Sequence, residues 1–165
     1  MTNVFLISDT HFGHVGATKW MDSDGVKIRP WDSIEEMDAA LIENWNSVVK
    51  QEDKVYHLGD VSMTHRPLEL LSQLNGKKIL IKGNHDTQKL KYYTPHFYDI
   101  RGAYELAGML LTHVPVHDSQ KYRYEANVHG HLHNNKIDDP WYINVSVEQI
   151  NYTPISLEEI ISRKI

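Results

Sequence analysis

A chain of 165 residues with 41% apolar content and a net charge of -5 is long enough to bury a substantial core, since chains of about 150 residues bury roughly 70% of their unfolded surface. The lack of cysteine excludes disulfides, thiolate metal sites and thiol nucleophiles, and the acidic balance argues against strong binding to duplex nucleic acid, which needs a basic coat. Eleven histidines stand against three phenylalanines, and their placement is the informative feature.

The first apolar run, Val4 to Ile7, stops at Ser8-Asp9 with no basic leader before it, so neither a signal peptide nor a membrane span is expected and the protein should stay in the cytoplasm. No repeat, low-complexity tract or Gly/Ser linker interrupts residues 1–165, which read as a single domain. Asn3 to Ile7 is a short buried strand. Ser33-Ile34-Glu35-Glu36 then has the capping-box form that opens a helix, and Met37, Leu41, Trp45 and Val48 recur on one apolar face of it. Lys54 to Leu58 and Lys78 to Ile81 are two more buried strands, separated by a helix over Pro67 to Leu74 that ends in Asn75-Gly76. From Phe97 the pattern changes to strands with short turns, at roughly 97–106, 108–112, 125–129 and 141–147, and a second capping box, Ser156-Leu157-Glu158-Glu159, opens a closing helix. The expected class is α/β, with two packed sheets and helices outside.

Each histidine-rich motif lies just past a strand. Asp9-Thr10-His11 follows the first, Gly59-Asp60 the second and Gly83-Asn84-His85-Asp86 the third; Thr112-His113 and Gly130-His131-Leu132-His133 follow later apolar stretches. Loops at the carboxyl edge of such sheets converge and are held by rigid strands, which makes that edge the ligand side. Residues two apart in extended chain face the same side, so Asp9 with His11, and His131 with His133, can each converge on one centre. Carboxylate, imidazole and amide oxygens together suit hard or borderline divalent metals, and two ions about 3.5–4 Å apart need roughly this many ligands plus a bridging carboxylate, for which Asp60 is the candidate. Asp-x-His alone is expected about once by chance in this composition, whereas Gly-Asn-His-Asp is expected about 0.003 times. The ordered set therefore carries the weight.

That set, Asp9-x-His11, Gly59-Asp60, Gly83-Asn84-His85-Asp86, His113 and Gly130-His131-Leu132-His133, resembles the calcineurin-like metallophosphoesterase superfamily, and the closing segment is similar to its small phage- or bacteria-type members. The resemblance implies a two-sheet β-sandwich flanked by helices in four αββα layers, with a dinuclear centre at one edge. It implies Asp9, His11 and His133 on a first metal, Asn84, His113 and His131 on a second, and Asp60 between them. Manganese is the expected metal, with iron, nickel or zinc as alternatives. On this pattern His85 points past the metals toward substrate and protonates the leaving oxygen, while a bridging hydroxide attacks. Gly83 would give a tight turn through positive φ, and Asp86 would accept N–H bonds at the start of a following helix. Many relatives carry Gly-Asp-x-x-Asp-Arg, but Gly59-Asp60-Val61-Ser62-Met63-Thr64 has no second Asp to orient His85, which argues against protein-phosphatase activity.

The expected reaction is hydrolysis of a phosphodiester, such as a cyclic nucleotide or a nucleic-acid end. Phosphomonoesterase activity and a non-catalytic scaffold on the same fold are the alternatives. The diester preference rests on a short chain without cap insertions, which suggests an open site. His14, His117 and Arg123 are candidate substrate contacts. Lys121, Tyr122 and Tyr124 beside Arg123 could clamp a phosphate or stack on a base, against the plainer reading of an exposed strand. His57 and His129 read as hydrogen-bonded structural histidines, His65 and His96 as surface loop residues, and Trp20, Trp31 and Trp141 as core or lid aromatics. A monomer or small homo-oligomer acting on a small phosphoester or nucleotide is the expected working form.

Overall fold

The computed structural model describes residues 1–163. Strand β1 (Val4–Ile7) is followed by helix α1 (Ile34–Val48), strands β2 (Lys54–His57) and β3 (Lys77–Ile81), and the short strand β4 (Asp99–Arg101). β5 (Tyr104–Leu106), β6 (Met109–Leu111), β7 (Ala126–His129) and β8 (Tyr142–Asn144) come next, then β9 (Ile155–Ser156) and helix α2 (Leu157–Ser162). They form a five-stranded sheet, ordered β4-β3-β2-β1-β9, and a four-stranded sheet, ordered β5-β6-β7-β8. β1 to β4 run parallel and only β9 opposes them. In the second sheet β6, β7 and β8 are parallel and β5 is antiparallel to β6. One continuous apolar core takes Leu6, Val55 and Leu80 from the first sheet and Leu111 and Val128 from the second.

Both capping boxes start helices as expected. Ser33 Oγ accepts from Glu36 N at 3.2 Å and Ser156 Oγ from Glu159 N at 3.1 Å, though the Glu36 carboxylate reaches the N–H of Asp32 rather than that of Ser33. Along α1 the buried stripe is Met37, Leu41, Trp45 and then Val49, while Val48 is exposed. A strict four-residue step continues to 49, so the expected Val48 gives way to its neighbour. The segment Arg66–Gln73 is a 3-10 helix rather than an α-helix. Its buried residues Leu68, Leu71 and Leu74 recur every three residues, which matches three residues per turn. The stretch expected as one strand over 97–106 divides at Gly102-Ala103 into β4 and β5, which belong to different sheets. Among the described residues no helix is long and apolar enough to cross a membrane.

Parallel pairing sets the site's position. Ile7 lies beside His57 and His57 beside Leu80, so the loops after β1, β2 and β3 leave the sheet at one edge. The second sheet is tied to the same edge where Ser8 N donates to Val145 O and Val147 N to Ser8 O, each at 3.0 Å. The loops after β6 and β7 meet there as well, through the N–H of Gly130 on the carbonyl of His113.

Candidate metal centre

Five loops bring the seven candidate ligands together in two adjoining clusters. Asp9, His11 and His133 form one, Asp60, His113 and His131 the other, with one ligand atom from each residue within 4.8 Å of the others in its cluster. In the first, Asp9 Oδ1 is 3.8 Å from His11 Nε2 and 3.7 Å from His133 Nε2. Asn84 belongs with the second, where its Oδ1 meets His113 Nε2 at 2.9 Å and His131 Nδ1 at 3.0 Å. Asp60 joins the two, with Oδ2 3.7 Å from His11 Nε2 and 3.3 Å from His113 Nε2. Asp9 and His11 do converge on one cluster as the spacing suggested, whereas His131 and His133 serve different clusters.

The backbone explains why. Asp9, His11, Asp60, His131 and His133 all have left-handed φ, between 50° and 69°, so neither pair lies on extended chain. Such conformations cost on the order of 1–3 kcal/mol each for non-glycine residues and persist where the surroundings over-determine them. Here Asp9 N donates to Gly59 O at 2.9 Å and His11 N to Asp60 O at 3.1 Å, while His131 N donates to Asp9 Oδ2 at 2.8 Å. Ser8 Oγ and Ser146 Oγ donate to the same oxygen of Asp9, at 2.6 and 3.1 Å.

The glycine and aspartate of the third motif act differently from expectation. Gly83 is not left-handed; a Cβ there would collide with the side chain and N–H of Asp60, so glycine is needed for close approach of two loops. Asp86 starts no helix. Its carboxylate accepts from the N–H groups of Asp60 and Gly83 at 2.8 Å and of Val61 at 3.0 Å, tying the second and third loops together. His85 donates its backbone N–H to Asp60 Oδ1 at 2.9 Å, and its exposed ring lies 6.0 Å from that of His11.

Two groups of atoms at the centre are what a cation would satisfy. Asp9 Oδ1 and His11 Nε2, the ring nitrogen that faces Asp9 and Asp60, are buried without a hydrogen-bond partner, a costly state for a carboxylate and an imidazole. The gaps of 3.7–3.8 Å from Asp9 and Asp60 to the histidine nitrogens of the first cluster are too long for hydrogen bonds, and they suit atoms each about 2.0–2.2 Å from a shared ion. The donor set of imidazole, carboxylate and amide oxygen is one for divalent metals. Burial disfavours the Asp9 carboxylate, but His11, His113, His133 and Ser8 outweigh it and hold its pKa below the ordinary range. Asp60 is likewise lowered, burial being offset chiefly by His113. Burial lowers His11 and His131, leaving lone pairs free for coordination near neutral pH.

His57 and His129 are hydrogen-bonded within the fold, His129 through Nδ1 to Gly130 O at 2.7 Å while its Nε2 is buried without a partner. His57 Nε2 is 2.9 Å from Thr10 Oγ1 and its Nδ1 accepts from Gly59 N at 3.2 Å. Burial pushes its pKa down to about 3. The folded protein thus refuses a proton that the unfolded chain accepts below about pH 6.5. Its contribution to stability is complete above that pH and is lost as pH falls toward about 3. Ring nitrogen NMR shifts at pH 5 are expected to show His57 still neutral; a charged ring at that pH would contradict this.

Of the remaining candidates, His14 is at the centre, its ring 5.4 Å from that of His11. His117 and Arg123 are not brought to it. The His117 ring is exposed and accepts from Ser119 N, and the Arg123 guanidinium lies over Tyr124 at 5.4 Å. Residues 121–124 form a turn rather than a strand. Three neighbours of the centre escape sequence reading. Trp20 packs edge-on against His11, His14 and His133 at 4.8–5.5 Å, beyond its expected part as core or lid. Arg29 is fully buried and Glu148 nearly so; no periodicity or motif marks either one.

The calcineurin-like phosphoesterase superfamily domain matches residues 2–147. The uncharacterized protein MJ1445 of Methanocaldococcus jannaschii is 37% identical over 177 aligned positions, covering 98% of this chain and 90% of the relative. The Gene 66 protein of Mycobacterium phage L5 is 35% identical over 69% of this chain, which spans about half of that relative, 52% of its length. The crystal structure of the protein of unknown function AQ665 from Aquifex aeolicus superposes with a TM-score of 0.75 at 27% identity, covering 98% of this chain and 99% of that one. With the ordered ligand motifs, the two His/Asp clusters and the two-sheet fold agreeing, the chain belongs to the calcineurin-like phosphoesterase superfamily.

Proposed function

We propose that this protein is a phosphodiesterase that binds two divalent metal ions, manganese for preference, and hydrolyses a small phosphodiester such as a cyclic nucleotide or a nucleic-acid end. The observation that carries the reading is the placement of Asp60, one carboxylate within 3.7 Å of a histidine from each cluster. Asp9, His11 and His133 would hold one ion, Asn84, His113 and His131 the other, with Asp60 shared. Ions bound there supply Lewis acidity and water activation. The protein's own part is to orient the ester and move the proton. His85, with its backbone held by Asp60 and its ring exposed, would donate to the leaving oxygen in this reading, and His14 lies beside His11.

Diester over monoester is supported by the charges around the centre. Arg29 bears on His11 and His14, but its guanidinium faces inward to backbone carbonyls and Glu148. A diester carries one negative charge against a monoester's two and needs less from such a rim. Asn84 and His85 are exposed, so the centre is open to solvent on their side, which suits a substrate with a second ester group.

The test is hydrolysis of bis-p-nitrophenyl phosphate and p-nitrophenyl phosphate, side by side, by chelator-stripped protein refilled with manganese. Faster turnover of the bis-ester is expected. Turnover of the monoester alone would reverse the preference, and silence on both with metal bound would favour the scaffold reading.

A further inference from the structure

We propose that Arg29, acting through Glu148, is a positioning residue that shapes the Asp9/His11/His133 cluster selectively, so that these two side chains set its metal affinity and leave the other cluster alone. The inference rests on the reading of these residues as metal ligands.

Apart from an Nη1 contact with Met37 Sδ at 3.6 Å, the contacts of Arg29 end on or beside this cluster. Its Nη2 donates to Asp9 O at 2.5 Å and its Nη1 to Thr10 O at 2.8 Å, holding from outside the turn in which Asp9 and His11 are left-handed. Its Nε and Nη2 approach Glu148 Oε1 at 2.9 and 2.8 Å. That same oxygen is 3.0 Å from His133 Nδ1. The guanidinium carbon also lies 5.2 Å from the ring centre of Trp20, whose edge contacts fix the faces of His11 and His133. Neither Arg29 nor Glu148 is hydrogen-bonded or ion-paired to Asp60, Asn84, His113 or His131.

The chemistry follows from the hydrogen bond at His133. With Nδ1–H donating to Glu148, the proton is kept off Nε2, and Nε2 is the atom facing Asp9 Oδ1. A carboxylate behind an imidazole fixes its tautomer and raises its basicity as a ligand. An ion pair buried this completely costs desolvation and is weak evidence for stability; its convergence on one cluster gives it a local purpose. Lysine could not replace Arg29, because a single ammonium lacks the fork that reaches two carbonyls and a carboxylate at once.

The experiment is calorimetric titration of manganese into chelator-stripped protein, comparing wild type with Glu148→Gln and Arg29→Lys after each is shown folded by circular dichroism. Glutamine keeps the shape of Glu148 and removes its charge. One of the two binding steps should weaken by about 10- to 100-fold in Glu148→Gln, with the other unchanged. Equal affinities in variant and wild type, or equal weakening of both steps, would overturn the inference. A wild type that binds no manganese would instead overturn the metal-site reading on which it rests. Nitrogen NMR of the metal-free wild type needs no variant: His133 should carry its proton on Nδ1, and a proton on Nε2 would sink the proposal even if both variants failed to fold.

Discussion

Asp60→Asn is expected to lower phosphodiester turnover on the order of 10²- to 10³-fold or more, the scale of losing one preorganised electrostatic contact, and to reduce bound manganese from two ions to one. The carboxylate touches both clusters through Oδ2 and holds the His85 backbone through Oδ1. The amide keeps the volume but removes the charge that offsets two cations, and only one of its two terminal atoms can accept. Metal content by elemental analysis and kcat on the bis-ester check this together. Two ions retained with unchanged kcat would rule out the bridging role. The variant should also gain less from metal in a thermal melt, because a ligand at 100 times its Kd stabilises by about 2.7 kcal/mol and a lost site forfeits that gain.

His85→Ala should leave metal content at two ions while lowering kcat, since its ring lies outside both clusters. A positioned general acid contributes about 10²- to 10⁴-fold. The lower end is expected here, because among the described residues no carboxylate is hydrogen-bonded to the ring to orient it. Leaving-group dependence separates an acid role from mere damage. An alkyl ester, whose alcohol leaves poorly without a proton, should suffer more than a nitrophenyl ester, whose phenolate leaves readily. Equal loss on both would indicate that His85 binds substrate without donating a proton.

The parts of this fold legible in the chain were those set by local periodicity. The first three strands start within one residue of where buried runs place them, and α1 and the closing helix where capping serines do, because those signals act over a few residues. Even the finer errors have local causes. A three-residue leucine spacing selects a 3-10 helix over an α-helix, and a four-residue step moves the apolar seat from Val48 to Val49. The division of 97–106 between two sheets was not legible, because the choice of sheet is made by distant partners, β3 for one half and β6 for the other.

The identity of the seven candidate ligands was in the sequence, since their motifs occur in order and each follows a strand. Their division came from the family resemblance, which set His133 with Asp9 and His11 and His131 with Asn84 and His113, as the clusters have it; residue spacing alone did not give it. Spacing placed His131 and His133 together, and the structure parts them, because both are left-handed and each is held by a different loop. Arg29 and Glu148 lie 119 residues apart and meet only through the joining of the two sheets; alone, each reads as an ordinary surface charge. The sequence by itself determined the chemistry available to this protein, because side-chain types and their order after strands are local properties. Only the tertiary structure decided how the ligands are aimed and what backs them, because the strained turns that carry them are sustained by contacts between residues far apart in the chain.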